Sequence, residues 1–442
     1  MKTVISNHLY TVFSISITIC LYSCKSGPVN LFKPASPHEA YQRKLITTGL
    51  DKTAMGTSWI SAANQSLQKA LNINIPYKET GYFAADRIPA TAYRFSATKG
   101  QKLNISLSKN PVDQFMIYVD LWETPDNSTP KLLQSADTLG NTLELDVKTT
   151  GTYLLRLQPE LLSSGQYTLE ITSGPSLGFP VKSTKAKIGS YFGDGRDANS
   201  RKHEGIDIFD AFHTPVIAAA KGTIVRVNEN NLGGRVVWLR PQGKDYTLYY
   251  AHLDKQLAIE GQQVSIGDTL GLMGNTGNAR TTPPHLHFGV YASGGAVNPF
   301  PFVNPVVKSP VNIRGSLTYL NTTARTIGKS ILRQAPEMKA AQLIILQAGT
   351  IVKISAASDN WYTVQLPNGM NGYLSNSQIT TVNKPLRKIK ISSTQLEVYD
   401  RPDSLAAVKL NLIAGHNIDI LGDFENYHLI EDVDKQTGWI KM

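Results

Sequence analysis

The chain has 442 residues, 41% apolar and 18% charged, with a formal net charge of +10. That length exceeds one ordinary domain, and the composition excludes wholesale disorder. The positive charge is diffuse, its densest run being "KPLRKIK" at 384–390, which reads as a solvated linker. No basic helix or aromatic stacking motif accompanies it, which argues against a nucleic-acid partner. A basic surface suits a polyanionic cell envelope.

Lys2 opens a short polar start, and "LYTVFSISITICLYSC" follows, nearly uncharged and apolar. The run is too short for a comfortable membrane span and is placed as an export signal. Its end, with Leu21, Ser23 and Cys24, resembles the lipobox of bacterial lipoproteins. The resemblance implies a signal over residues 1–23, cleavage before Cys24 and a lipid on the Cys24 thiol. An ordinary secretory signal cut nearby is the alternative. The two cysteines are Cys20 and Cys24, so a chain cut there has no internal disulfide and must rely on packing and metal. Residues 24–37, with Pro28, Pro34 and Pro37, read as a tether.

Residues 38–75 carry helical spacing through Trp59, Ala63, Leu67 and Leu71, with Thr57 or Ser58 as candidate cap. From 76 to 175 the period becomes two, in "KLNISLS", "FMIYVDL", "LELDV", "YLLRL" and "YTLEI". Short alternating strands separated by Gly, Asn and Ser predict a β-sandwich. It bears a faint likeness to the accessory sandwiches of secreted bacterial hydrolases, and reads equally as a spacer or a glycan binder.

Residues 176–307 predict a second, glycine-rich antiparallel β unit. "GTIVRVN", "RVVWLR" and "YTLYYAHL" form a meander, and "GQQVSIGDTLGLMGNTGN" follows with closely spaced glycines. No Gly-Lys-Ser/Thr step follows those glycines, so they are not a phosphate loop. Four of the nine histidines fall in three short segments of this unit: "HEGID" at 203–207, "YYAHLD" around His252, and "HLH" at 285–287. Residues two apart on a strand share a face, so His285 and His287 lie side by side while Leu286, Phe288 and Val290 face the core. His203, Gly205 and Asp207 share a face in the same way, and Gly205 leaves room above the strand. His213, beside a proline and outside any motif, reads as a turn residue. Two imidazoles and one carboxylate with an open fourth position make the ligand set of a catalytic zinc; a structural zinc would want thiolates, which are missing.

The order and spacing of "HEGID", "YYAHLD", "GNTG" and "PHLHF" resemble the lysostaphin-type zinc endopeptidases over roughly residues 187–300, including the trailing "VNPFPFV". That group cuts peptide bonds in peptidoglycan. The resemblance implies His203, Asp207 and His287 as zinc ligands and His252 and His285 as the two non-ligand catalytic histidines, with no role for Glu204. "NARTTPPHLHF" departs from relatives that carry a serine-threonine-glycine step, placing Thr281, Thr282 and Pro283 there instead, which bears on the shape of the substrate loop and not on the metal. Such a zinc polarises water for attack on an amide carbonyl; one imidazole takes the proton and a second donates to the tetrahedral oxygen.

The C-terminal part repeats. Pro336, Gly349, Trp361 and Gly372 recur as Pro402, Gly415, Tyr427 and Gly438, each displaced by 66 residues. Both copies, over 311–383 and 386–442, resemble bacterial Src-homology-3-like domains, which implies small β-barrels that bind or position a wall substrate. Trp361 and Tyr427 are expected to be core residues and not ligand contacts. The expectation is therefore a mainly β, multidomain, exported lipoprotein of the bacterial cell envelope, on the outer membrane facing the periplasm, that cleaves peptidoglycan. A decayed, wall-binding regulator is the alternative, and a peptidase of ordinary proteins a weaker one.

Overall fold

Ser36 starts the first helix, Pro37–Thr47, with a reciprocal cap: Glu39 N donates to Ser36 Oγ at 3.2 Å and Ser36 N donates to the Glu39 carboxylate at 3.1 Å. The computed structural model describes residues 35–442 except 126–128, 137–141, 197 and 442. The expected signal and all of the tether up to residue 34 lie outside the described residues. No helix among those described is long and apolar enough to cross a membrane.

The second helix, Ala54–Gln68, is capped by Thr53, whose Oγ1 accepts from Gly56 N at 3.1 Å. It begins before Thr57 and Ser58, the caps suggested by spacing. It also stops before Leu71, which opens the strand Leu71–Asn72, paired parallel with Thr91–Ala97. Leu71, Ile73 and Ile75 already alternate there, and Pro76 offers no helix donor, so the period of two wins.

Both helices cover one face of a sandwich. Its first sheet runs Leu71–Asn72, Thr91–Ala97, Gly151–Pro159, Ile117–Thr124, Lys131–Ala136; its second contains Tyr77–Phe83, Gly165–Pro175, Gln101–Asn110 and Leu143–Asp146. Tyr93, Leu103, Ile117, Leu155 and Leu169 are fully inaccessible between them. At the helical cover, His38 stacks on Trp59 with ring centroids 4.6 Å apart and its Nε2 lies 2.6 Å from Gln158 Oε1. Trp59 Nε1 donates to the Pro159 carbonyl at 2.8 Å.

The central unit is a ten-stranded sheet, ordered Lys187–Ser190, Ile206–Phe209, His285–Ala292, Tyr246–Gln256, Gly234–Pro241, Gly222–Asn230 and Gln263–Val264 along its main path. The expected meander is there, antiparallel throughout. Ile206, Ile208, Leu248, Tyr250, Leu286, Phe288 and Val290 form its core face, all inaccessible. The "VNPFPFV" tail folds into the short helix Phe300–Val303, whose Phe302 carbonyl accepts from Leu177 N at 2.9 Å, and Lys244 pairs with Asp146 of the sandwich.

In the C-terminal part, five strands of the first barrel recur in the second at the same 66-residue displacement, from Ser330–Arg333 against Leu396–Tyr399 to Asn371–Ser375 against Thr437–Lys441. The first barrel is not a free bead. Thr80 and Gly81 of the sandwich pair with Ala357 and Ala356, so sandwich and barrel share one eleven-stranded sheet among the described residues. Trp361 and Tyr373 are buried in the sandwich's own core cluster. The second barrel repeats the move: Tyr427 and Trp439, the residues equivalent to Trp361 and Tyr373, are buried in the core of the first barrel. In each barrel the docking strand carries a bulge just before the contact, between Ile354 and Ala356 and between Ile420 and Gly422. A bulge bends a strand and frees part of it for a new partner. A chain cut after Pro310 would therefore lose part of the sandwich core along with the barrels.

Burial, with Arg156 nearby, holds the His38 imidazole down to about 4, against an ordinary value of 6.5. The folded chain keeps it neutral while the unfolded chain takes a proton, so stability is complete above pH 6.5 and falls as the pH drops from there towards 4. The loss amounts to about 3 kcal/mol at the lower end. Urea unfolding followed by Trp fluorescence across that range checks it; His38→Phe should flatten this part of the profile.

Candidate metal centre and active site

Asp207 and His287 face each other directly across the strands Ile206–Phe209 and His285–Ala292. His203 enters from the segment just before the first strand. His203 Nε2, Asp207 Oδ1 and His287 Nδ1 form a near-equilateral triangle with sides of 2.9, 3.0 and 3.0 Å. A tetrahedral ion with bonds of about 2.0–2.2 Å needs its ligand atoms roughly 3.3 Å apart, so this triangle fits zinc with only slight opening. It is the one group of three or more metal-ligand side chains found among the described residues.

His203 and Asp207 are each oriented by a partner behind them. His203 Nδ1–H donates to the Tyr191 carbonyl at 2.9 Å, which leaves Nε2 as the lone pair facing the triangle. Asp207 Oδ2 accepts from Arg196 Nη2 at 2.7 Å. Burial alone would raise the Asp207 carboxyl; the imidazoles of His203 and His287 beside it outweigh burial and hold the group well below the ordinary carboxylate range. It is an anion at every working pH. Burial pushes the His287 imidazole down, against the pull of Asp207, so it is a neutral donor of a lone pair.

Gly205 is needed for this packing. A Cβ there would lie 2.6 Å from His287 Cε1 and 2.6 Å from the Phe288 carbonyl oxygen. The room above the strand that the sequence suggested is filled by the ring of His287.

His252 and His285 stand beside the triangle. Their rings lie 4.9 Å apart, His252 is 5.9 Å from the His287 ring, and His285 Nε2 is 4.0 Å from Asp207 Oδ1. Regular alternation would put His252 with Tyr250 on the core face, because the neighbouring Ala251 pairs with His287 on the site face. A left-handed backbone at His252, φ 64°, swings its side chain to the site instead. Such a conformation costs about 1–2 kcal/mol in a non-glycine residue. The "GNTG" turn holds it there: the Thr276 carbonyl accepts from His252 Nδ1–H at 2.8 Å, while Thr276 Oγ1 donates to the Leu253 carbonyl and accepts from Arg235 N. His285 Nδ1–H donates to the Pro283 carbonyl at 2.9 Å. Both histidines thus turn Nε2 outward as a lone pair. Burial, then His285 and His287 nearby, lower His252 to about 4.

All five residues singled out in the sequence come together here. Glu204 is exposed and takes a hydrogen bond from Tyr291 at 3.3 Å, away from the triangle, and His213 sits in a left-handed turn with Nε2 2.9 Å from Asp254. Arg196 is the residue that sequence reasoning missed. It lies on a two-strand ribbon, Gly195–Arg196 with Arg201–Lys202, and no spacing rule marks it. The "TTPP" departure is a turn closed by Thr282 Oγ1 on the Ala279 carbonyl at 2.8 Å, with the Asn275 amide donating to the Thr282 carbonyl.

Residues 201–299 match the family described as peptidase family M23, and residues 329–380 match the bacterial SH3 domain. An uncharacterized metalloprotease of Haemophilus influenzae is 41% identical over 120 residues, 26% of this chain and 25% of that one. The peptidoglycan DD-endopeptidase ShyA of Vibrio cholerae is 38% identical over 96 residues, 22% of each chain. The solved catalytic domain of lysostaphin from Staphylococcus simulans aligns at 31% identity over 27% of this chain and 92% of that one, with a TM-score of 0.25. The matched region spans about a quarter of the length of these curated relatives.

Gly205→Ala is expected to displace the His287 ring and lower zinc affinity at least about tenfold, at a stability cost of about 1–3 kcal/mol. Competition with a zinc-chelating dye measures the first and thermal unfolding the second.

Proposed function

We propose that this chain, which carries a peptidase family M23 domain followed by a bacterial SH3 domain, is a zinc endopeptidase that hydrolyses peptide bonds of peptidoglycan. The observation that carries the reading is the triangle of His203, Asp207 and His287 with two oriented, non-ligand imidazoles at its side. These three residues would hold the metal. Zinc bound there supplies Lewis acidity, lowering the pKa of water towards neutrality and polarising an amide carbonyl.

The remaining work falls to the chain's own groups. His252 and His285, each fixed by a backbone carbonyl at Nδ1, present Nε2 where a proton leaves the attacking water and where it is returned to the departing amine. Protonated on Nε2, the other imidazole of the pair donates to the carbonyl oxygen as negative charge develops on it. Arg196 acts through Asp207, keeping the carboxylate turned and charged. The name of the Vibrio cholerae relative, a peptidoglycan DD-endopeptidase, supports the substrate class. Against the alternative of an inactive wall-binding regulator stands the presence of all five side chains in one cluster.

Around this centre the chain is read as an envelope lipoprotein. Cys24 carries the lipid, the residues between Cys24 and the helix cap at Ser36 tether the fold to the outer membrane facing the periplasm, and the two barrels hold the peptidase against the wall. Labelled palmitate should enter the wild type and not Cys24→Ser; equal labelling would remove the anchor.

Digestion of defined muropeptides by the zinc-loaded chain, read by mass spectrometry, should show peptide products and no glycan cleavage. His203→Ala should lose zinc by elemental analysis. His285→Ala should keep zinc and lose turnover at least about a hundredfold. Zinc loss in His285→Ala would exchange the roles of His285 and His287, and intact muropeptides with the wild type would remove the activity.

A further inference from the structure

The helix Ala54–Gln68, the sandwich and the first barrel enclose a cleft of about 740 Å³, well apart in sequence from the residues of the metal centre. A recess of about 260 Å³ adjoins it, meeting it along Arg87, Lys353, Gln365 and Gly369 and running on to Arg401 and Trp439 of the second barrel. One groove thus crosses every module except the peptidase. Its walls are fixed in place by the shared sheet at Thr80–Ala357 and Gly81–Ala356, so the groove does not have to be assembled by its ligand.

The lining is polar and its charge is unbalanced. Gln65, Ser355, Gln365, Asn368 and Asn371 offer amides and hydroxyls. Lys69, Arg87 and Lys353 supply cations, against Asp86 alone in the larger cleft; further along, Asp400 is taken up by Arg401 at 3.6 Å. Among the described residues, the side chains of Lys69, Arg87 and Lys353 form no ion pair. Lys353 is half-buried, and burial together with the adjacent Arg87 holds its ammonium below the ordinary value. The exposed Arg87 and the half-buried Lys353 repel each other, only partly offset by Asp86, and an anion placed between them relieves both.

We propose that this groove binds a carboxylate-bearing stem peptide of peptidoglycan, with Arg87 and Lys353 pairing to its carboxylates and the amides of Gln65 and Gln365 to its backbone. The volume suits a short peptide, within the usual range of ligand sites of about 300–1,000 Å³. This rests on the reading of the central domain as a peptidoglycan endopeptidase: the groove would hold one stem while the metal centre cuts a bond elsewhere on the same polymer.

The test uses the full, zinc-loaded chain carrying His252→Ala, so that bound peptide is not consumed. Calorimetric titration compares a stem tetrapeptide with free carboxylates, the same peptide amidated, and inorganic phosphate. Arg87→Glu with Lys353→Glu should weaken the free-carboxylate peptide at least about tenfold and leave the amidated peptide unchanged. If the double reversal unfolds on heating earlier than its parent, Arg87→Gln and Lys353→Gln singly replace it, each expected to weaken binding about threefold or more. Equal affinity in parent and charge-altered proteins overturns the proposal. So does phosphate binding as tight as the peptide's, which would make the groove a general anion site. Wild-type failure to cut muropeptides would instead strike the activity, while leaving the binding comparison able to succeed or fail by itself.

Discussion

Everything at the centre depends on one cross-strand pair. Asp207 and His287 are opposite each other in an antiparallel ladder, so a single register fixes the distance between carboxylate and imidazole to within a few tenths of an ångström. A slip of one residue in the strand Ile206–Phe209 would turn Asp207 into the core and bring Ile206 and Ile208 out of it. The apolar face beneath, inaccessible throughout, makes that slip prohibitively costly. The site is precise because the core on the other side of the same two strands is well packed.

The chemistry was the most legible part of the sequence, and for a physical reason. Metal ligands must be particular residue types at spacings a strand can present, and "HEGID" and "HLH" satisfy that with period two. His252 and His285 were legible by resemblance, but the way His252 reaches the site was not. In a regular strand it belongs to the core face, and only the left-handed backbone at that residue, with Thr276 behind it, explains its position. Arg196 was invisible for a related reason. Its role comes from a ribbon folding back over the sheet, and no local pattern encodes where such a ribbon lands.

Periodicity also served well for strands and poorly for joints. The 66-residue repeat announced two barrels, and Trp361 and Tyr427 were rightly read as buried. What hydrophobicity could not say is whose interior they enter. Trp361 and Tyr373 complete the sandwich, and Tyr427 and Trp439 complete the first barrel. With no cysteine in the described residues, these buried aromatics and the strand pairing at Gly81 and Ala356 join the C-terminal part to the rest, together with Asn72 N on the Gln334 carbonyl and the Asn74 amide on Glu337. The modules are bound into one scaffold, which is why a groove spanning several of them can have fixed walls.

The docking of the second barrel on the first is a head-to-tail contact between near-copies, and such contacts have no natural end. Asp423 N donates to the Gly349 carbonyl at 2.8 Å, Arg325 reaches the Leu421 carbonyl at 2.6 Å, and the absence of a side chain at Gly422, where a Cβ would come 2.3 Å from Ile351, lets the surfaces close. Were the receiving surface copied along with the inserting one, another barrel could add to the second, and then another, as a growing fibre. It is not copied. Where the first barrel has Thr350 and Ile351, the second has His416 and Asn417, and Ile391 stands at the position of Arg325. The second copy keeps the plug and differs at these positions of the socket.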